Sequence, residues 1–390
     1  MLDIFSSEDD VFDLAEVTGK VDKIADNQFK PWHKPRKQFI REEQWLNPLK
    51  RIATSSKYNT ISTINYFGLP GGDLLDVTYI SQKLLEHKKL KNKLFQVHGF
   101  INSELEFKKA QSGLSQLLDY DNVSEKSKVE RFEFEELSTE NSEAWKRIRS
   151  VGHYHFINLD FCDCALNERT LPSIYRLLDY QAKRIHGVPW LLCITTRLNK
   201  SGITSSILEK FDTILQEMKS NQDIVKVIES AFSDSLLAVE RLSDLDETHK
   251  TLLNELLQVC LILWLVNEAI SKGCTIELKS SFKYSVNLHE REHDMHSFVF
   301  SIEKEDVVAP DILGLITKNN DDALTEDKIR KLKVEALEKL GLSLDVDTHL
   351  EGNQNLLNRF ADNMMDLLGK CGYDVTDYKQ VMSDNYGYVF

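Results

Sequence analysis

From about residue 59 the chain alternates short runs of β-branched and aromatic residues with segments whose apolar positions recur every three or four residues. That alternation predicts a largely parallel sheet with helices on both faces. The first run, Thr60 to Phe67 (TISTINYF), is followed by the turn GLPGGD and a helical stretch from Leu74 to His87. The second, Leu94 to Phe100 (LFQVHGF), leads to Ser103, whose hydroxyl suits the cap of a helix reaching about Leu118, with Glu106 placed to reach back to that cap. Val129 to Phe134 reads as a weaker, charged strand before a helix from Ser142 to Ser150. Tyr154 to Phe161 (YHFINLDF) ends in Cys162-Asp163-Cys164 and precedes a helix from Pro172 to Ile185. Trp190 to Thr196 (WLLCITT) is continuously apolar, the pattern of a strand buried on both faces.

Helical material follows from about 203 to 271. Its last segment places Leu253, Leu256, Leu257, Cys260, Leu261, Trp264 and Leu265 at three-and-four spacing. The period then switches to two. Ile276, Leu278, Phe282, Tyr284 and Val286 alternate with polar residues, and so do Phe298, Phe300 and Ile302, which predicts an antiparallel hairpin. KNNDDALTED (318 to 327) reads as a linker, and two helical stretches around Leu332 to Leu340 and Leu356 to Leu367 follow it. The expected organisation is an N-terminal arm over 1–54, an α/β domain over 55–305 built as a doubly wound mixed sheet with a helical insertion, and a helical C-terminal extension over 306–390.

The chain has 390 residues, 42% of them hydrophobic and 28% charged, which excludes wholesale disorder and a disulfide scaffold. The longest uninterrupted apolar run, Val259 to Val266, falls short of the roughly 20 residues a bilayer requires, so no membrane span is expected. The opening MLDIFSSEDDVF is acidic where an export signal would be basic, and the six cysteines sit mostly in apolar surroundings; both suit reduced thiols in a cytoplasmic protein. The net charge of −14 opposes wrapping a polyanion, yet residues 30 to 45 (KPWHKPRKQFIREEQW) concentrate cations among aromatic rings. Lys34, Arg36, Lys37 and Arg41 beside Trp32 would make a nucleic-acid strap, the cations meeting phosphates and the ring stacking on a base. The same residues would equally make a lead-in helix whose cations bond to this acidic protein.

Five strand-helix units closed by an antiparallel hairpin resemble the class I S-adenosylmethionine-dependent methyltransferases over roughly 55–305. The resemblance implies S-adenosylmethionine as cofactor, bound in the crevice at the carboxyl ends of the first strands. It places Gly68, Gly71 and Gly72 in the turn that approaches the methionine part, with Asp73 or Asp76 for its ammonium group. The family's GxGxG spacing is absent, and Gly-Gly with Pro70 also makes an ordinary turn. After the second strand, Ile101 stands where the family has a ribose-binding acid, leaving Asn102 or Glu104 to substitute. Glu135 falls where an acid meets the adenine amino group. Asp160, Phe161 and Asp163 fall where amino-methylating relatives hold the target amine, without their two prolines, and would be the catalytic set. The implied function is a methyltransferase-like protein acting on or recognising nucleic acid, within an anti-phage or mobile-element system. The alternative is a catalytically degenerate subunit or sensor working through protein partners.

HEREHDMH (289 to 296) contains HExxH, but it lies in the loop of the predicted hairpin without helical period, so no metal site is expected there.

Overall fold

The computed structural model describes residues 29–198, 202–245, 247–285, 293–304 and 325–390. The acidic N-terminal stretch, His289 to Glu292 of the histidine loop and most of the proposed linker therefore lie outside the described residues.

Eight strands form one sheet: β1 (Thr63–Gly68), β2 (Leu94–Phe100), β3 (Lys128–Glu130), β4 (Phe156–Cys164), β5 (Trp190–Arg197), β6 (Thr275–Tyr284), β7 (Met295–Glu303) and β8 (Leu344–Asp345). Their order across the sheet is β3-β2-β1-β4-β5-β7-β6-β8. The first five run parallel, whereas β7 pairs antiparallel with both β5 and β6. This is a methyltransferase-like α/β fold with an antiparallel hairpin closing the parallel half. The sheet carries one strand more than the predicted seven, because Leu344–Asp345 adds in parallel beyond β6.

Helices cover both faces. One apolar layer packs the sheet against α5 (Glu143–Val151), α6 (Thr170–Arg184), α7 (Ser205–Ser220), α8 (Gln222–Ala231), α9 (Lys250–Ser271) and α10 (Glu326–Gly341). The other packs it against α1 (Pro35–Ile40), α2 (Asn47–Ala53), α3 (Leu75–Glu86), α4 (Glu104–Leu117), α11 (Val346–Glu351), α12 (Gln354–Lys370) and α13 (Tyr378–Tyr386). The strands divide between the layers by pleat alternation: Leu191 and Cys193 face one and Leu192 and Ile194 the other, so β5 has to be apolar throughout. α9 is long and apolar enough in composition to cross a bilayer, and in this fold it packs against α6, α7, α10 and β6. A π-helical turn, Arg41–Leu46, joins α1 to α2.

Three local differences from the sequence reading matter for the site. Strand β3 stops at Glu130, which leaves Phe132 and Phe134 free of the ladder. Strand β4 continues to Cys164 with a register irregularity after Asp160. Ser103 caps α4 by accepting from the Glu106 N–H, but the Glu106 carboxylate turns away from the cap and accepts the Gly72 N–H at 2.9 Å.

Candidate functional site

The order of the parallel strands reverses between β1 and β4, and in open α/β sheets ligands sit outside the carboxyl strand ends at such a point. A cavity of about 370 Å³ lies there, within the range of small-molecule sites. The loop after β1 contributes Leu69, Pro70, Gly71, Asp73 and Leu74, and the first turn of α3 adds Asp76. The end of β2 gives Phe100, Ile101, Asn102 and Ser103. Phe132, Phe134 and Glu135 come from the stretch after β3, and Asp160 and Phe161 from β4. Trp32 and Arg41 arrive from the N-terminal segment.

One wall is aromatic. The Phe100 and Phe132 centroids lie 5.2 Å apart, and Phe134 meets Phe161 edge-on at 5.5 Å. Such a wall suits a planar ring. Glu135 stands beside it, with one carboxylate oxygen accepting the Thr170 hydroxyl at 2.8 Å. The opposite end is ionic. Arg41 donates from Nε to Asp76 at 2.5 Å, and Asp73 accepts from His33, Lys109 and the Tyr373 hydroxyl. Those three partners outweigh the burial of Asp73 and hold its carboxyl well below the usual carboxylate range, while burial lowers the pKa of His33 against the pull of Asp73. Leu74, buried at φ +51°, bends the loop into α3; a bulky residue in the left-handed region persists only where packing imposes it.

The N-terminal segment bears directly on this crevice. Lys30, His33, Lys37 and Arg41, spaced three, four and four residues apart, meet Glu106, Asp73, Asp160 and Asp76 respectively. Of those four acids, Glu106 lies in α4 after β2, Asp73 and Asp76 follow β1, and Asp160 lies in β4 itself. Of the two readings the sequence left open for this segment, the burial matches the lead-in helix: Lys34, Arg36, Lys37 and Arg41 are all buried, Lys34 lies over the Tyr386 ring and Arg36 pairs with Asp347 at 2.9 Å. Ions buried this deeply need partners, and Asp347 of α11, Asp160 of β4 and Asp76 of α3 supply them to Arg36, Lys37 and Arg41. Trp32 lies on the cavity wall.

Of the residues singled out from sequence, the cavity brings together Gly71, Asp73, Asp76, Asn102, Glu135, Asp160 and Phe161, with Trp32 and Arg41 of the basic segment. It does not gather the rest. A Cβ on Gly68 would land on the Tyr66 ring, and one on Gly72 would land on Glu106, so the space beside these glycines is filled by the protein itself. Of these three glycines, Gly71 alone would carry a Cβ that meets nothing within 4 Å. Glu104 points to Lys108 and Arg131, and Asp163 is exposed and accepts its neighbour's Cys164 N–H. Asp160 is engaged by the Lys37 ammonium at 2.7 Å, a carboxylate neighbour that raises the lysine pKa despite its burial. Sequence reasoning missed Phe132 and Phe134 as wall residues and Arg41 as an interior group. The helical spacing of 30, 33, 37 and 41 was the available signal for the last.

Five carboxylates line the cavity, and Asp73, Asp76 and Asp160 are matched by Lys109, Arg41 and Lys37. That balance disfavours a polyphosphate and suits a neutral or zwitterionic ligand carrying an aromatic ring.

The family model described as PP_RS20740-like matches residues 26–383. No curated protein matches the chain. Solved structures similar to it include the O-methyltransferase of a trans-AT PKS multienzyme from Brevibacillus brevis, in complex with S-adenosyl-L-homocysteine, at 11% identity over 86% of each chain with a TM-score of 0.32. A putative sarcosine dimethylglycine methyltransferase from Galdieria sulphuraria is similar at 12% identity, covering 67% of this chain and 87% of that one, TM-score 0.27. A putative zinc-dependent alcohol dehydrogenase from Rhodobacter sphaeroides is similar at 10% identity, 70% and 99% coverage, TM-score 0.28.

Proposed function

The chain belongs to the PP_RS20740-like family, and from that premise we propose that it is a methyltransferase-fold protein that binds S-adenosylmethionine in the crevice between β1, β2 and β4. The observation that carries the reading is the make-up of the cavity: an aromatic wall with Glu135 at one end, an ionic pair at the other, at the reversal point of the strand order. Phe132, Phe134 and Ile101 would enclose the purine, Glu135 and Asn102 would meet its polar edges and sugar, and Asp73, Asp76 and Arg41 would face the amino-acid end. When bound, this cofactor supplies a methyl group on a sulfonium sulfur to a nucleophile.

A specific contact favours a binding protein over a transferring enzyme. Asp160, the residue to which the family resemblance would give the acceptor amine, already holds the Lys37 ammonium at 2.7 Å. Lys37 is 7% exposed and lies 4.9 Å from the Trp45 ring, so the acceptor position is filled by the chain itself. The role that follows is cofactor sensing or a structural part in a larger assembly.

Calorimetric titration and thermal unfolding with S-adenosylmethionine and S-adenosylhomocysteine test the reading. Saturable binding and a raised unfolding temperature are expected, since a ligand held only by the folded state must stabilise it. No heat and no shift at millimolar cofactor remove the proposal. Incubation with methyl-tritiated cofactor and DNA, RNA or protein is expected to transfer no label; transfer overturns the sensing role and restores catalysis.

A further inference from the structure

Arg41 belongs to no strand-end loop. It opens the π-helical turn Arg41–Leu46, a local widening of the helix of a kind often found at functional sites. Its side chain is 2% exposed, yet it lines the cavity. A guanidinium has five N–H donors in a fixed fork. Among the described residues, Nε donates to Asp76 at 2.5 Å and Nη2 to the Trp32 carbonyl at 3.2 Å, while Nη1 meets only the Met364 sulfur at 3.9 Å. Three donors are engaged, one of them on a soft and distant acceptor. Two remain on a buried cation at the edge of a cavity, and the complement of such a fork is a planar carboxylate.

A second observation points the same way. In this type of crevice a ligand carboxylate would otherwise be met by backbone N–H groups of the turn after β1. Here the Gly72 N–H is already taken by the Glu106 carboxylate at 2.9 Å, which is itself 3.7 Å from Lys30. A second carboxylate placed there would meet a like charge. The anionic end of a ligand is thereby directed toward the guanidinium, while Asp73 and Asp76 offer oxygens to an ammonium on the same ligand.

We propose that Arg41 is the carboxylate anchor of this site, making the N-terminal helix a specificity-determining part of the pocket that selects ligands with a free α-carboxylate. The inference rests on the reading of the cavity as an S-adenosylmethionine site, and its test separates the two. Dissociation constants are measured by calorimetry for S-adenosylmethionine and for its decarboxylated form, with the wild-type chain and with Arg41→Lys and Arg41→Gln. Loss of a charge-assisted, hydrogen-bonded carboxylate should weaken the wild-type affinity for the decarboxylated ligand by about 10- to 100-fold. Arg41→Gln should bring the intact cofactor to that weaker level and leave the decarboxylated ligand within about twofold, with Arg41→Lys falling between, because an ammonium keeps the charge without the fork. If the wild-type protein binds both ligands equally, the anchor is refuted while the site stands. If it binds neither, the site itself is refuted. Should Arg41→Gln fail to fold, the wild-type ligand pair together with Arg41→Lys decides: wild-type discrimination that the lysine variant leaves undiminished assigns the carboxylate to another group and refutes the anchor.

Discussion

Lys37 and Asp160 show how one contact can redirect a whole site. The pair is 9% and 18% exposed at its side chains and 2.7 Å long, so removing either partner strands a charge in a poorly hydrated place. Lys37→Met should therefore cost about 3 kcal/mol in urea unfolding, whereas Lys37→Met with Asp160→Asn should recover most of that, since replacing both members of a buried pair is often nearly neutral. Equal losses in the single and the double variant would show that Lys37 matters through its packing on Trp45 instead. Asp73 is a node of another kind, joining the N-terminal segment through His33, α4 through Lys109 and the C-terminal region through Tyr373. Its identity as a candidate was legible in the sequence because it follows Gly71-Gly72. Its three partners, 40, 36 and 300 residues away, were not.

At the scale of elements, α1 is the piece that the sequence left with two meanings. Its cations fitted an external strap or an internal lead-in, and local composition does not separate these because burial depends on what lies opposite. What lies opposite is a set of carboxylates from β4, α3 and α11 on one side and α12 on the other. Phe39 meets Phe282 in a stack at 5.6 Å and Phe360 edge-on at 5.2 Å, and the Tyr378 hydroxyl donates to the His33 carbonyl at 2.6 Å. Phe360→Ala should thus cost about 3 to 5 kcal/mol in chemical unfolding, the usual range for emptying a fully buried aromatic site, and loosen α1 from the crevice. A loss under 1 kcal/mol would mean that α12 does not hold the segment. Strand β3 teaches a different lesson. Its sequence carries alternating rings, so the residues looked like strand, but the ladder ends early and the rings turn to the cavity.

The whole molecule couples these parts through protons. His33, His98, His155 and His296 are all buried, and burial lowers the pKa of each, in His155 and His296 to about 3. In the unfolded chain these side chains take up protons near the ordinary value of about 6.5. Below that pH the unfolded state binds more protons than the native one, so stability must fall as pH drops. Asp73 acts in the same direction lower down: its depressed pKa gives stability that is complete above about pH 4 and is lost as pH falls through the folded value. The urea midpoint should decline from pH 7 toward pH 5, with a further fall below pH 4 that Asp73→Asn makes shallower, Glu130 and Asp345 contributing the remainder. A midpoint unchanged between pH 7 and pH 5 would contradict the burial of the four histidines.

The sequence by itself determined the order of strands and helices, the antiparallel hairpin and the crevice loops, because these follow from local hydrophobic period, caps and turn chemistry. β2 carries its own bounds in LFQVHGF, and the double-sided burial of β5 is written in WLLCITT. Only the tertiary structure decided that Lys37 occupies Asp160, that Glu106 takes the Gly72 N–H and that Arg41 enters the cavity. Each of those depends on which charges meet across long stretches of chain, and a charge on a helix reads the same in sequence whether it faces water or a buried partner.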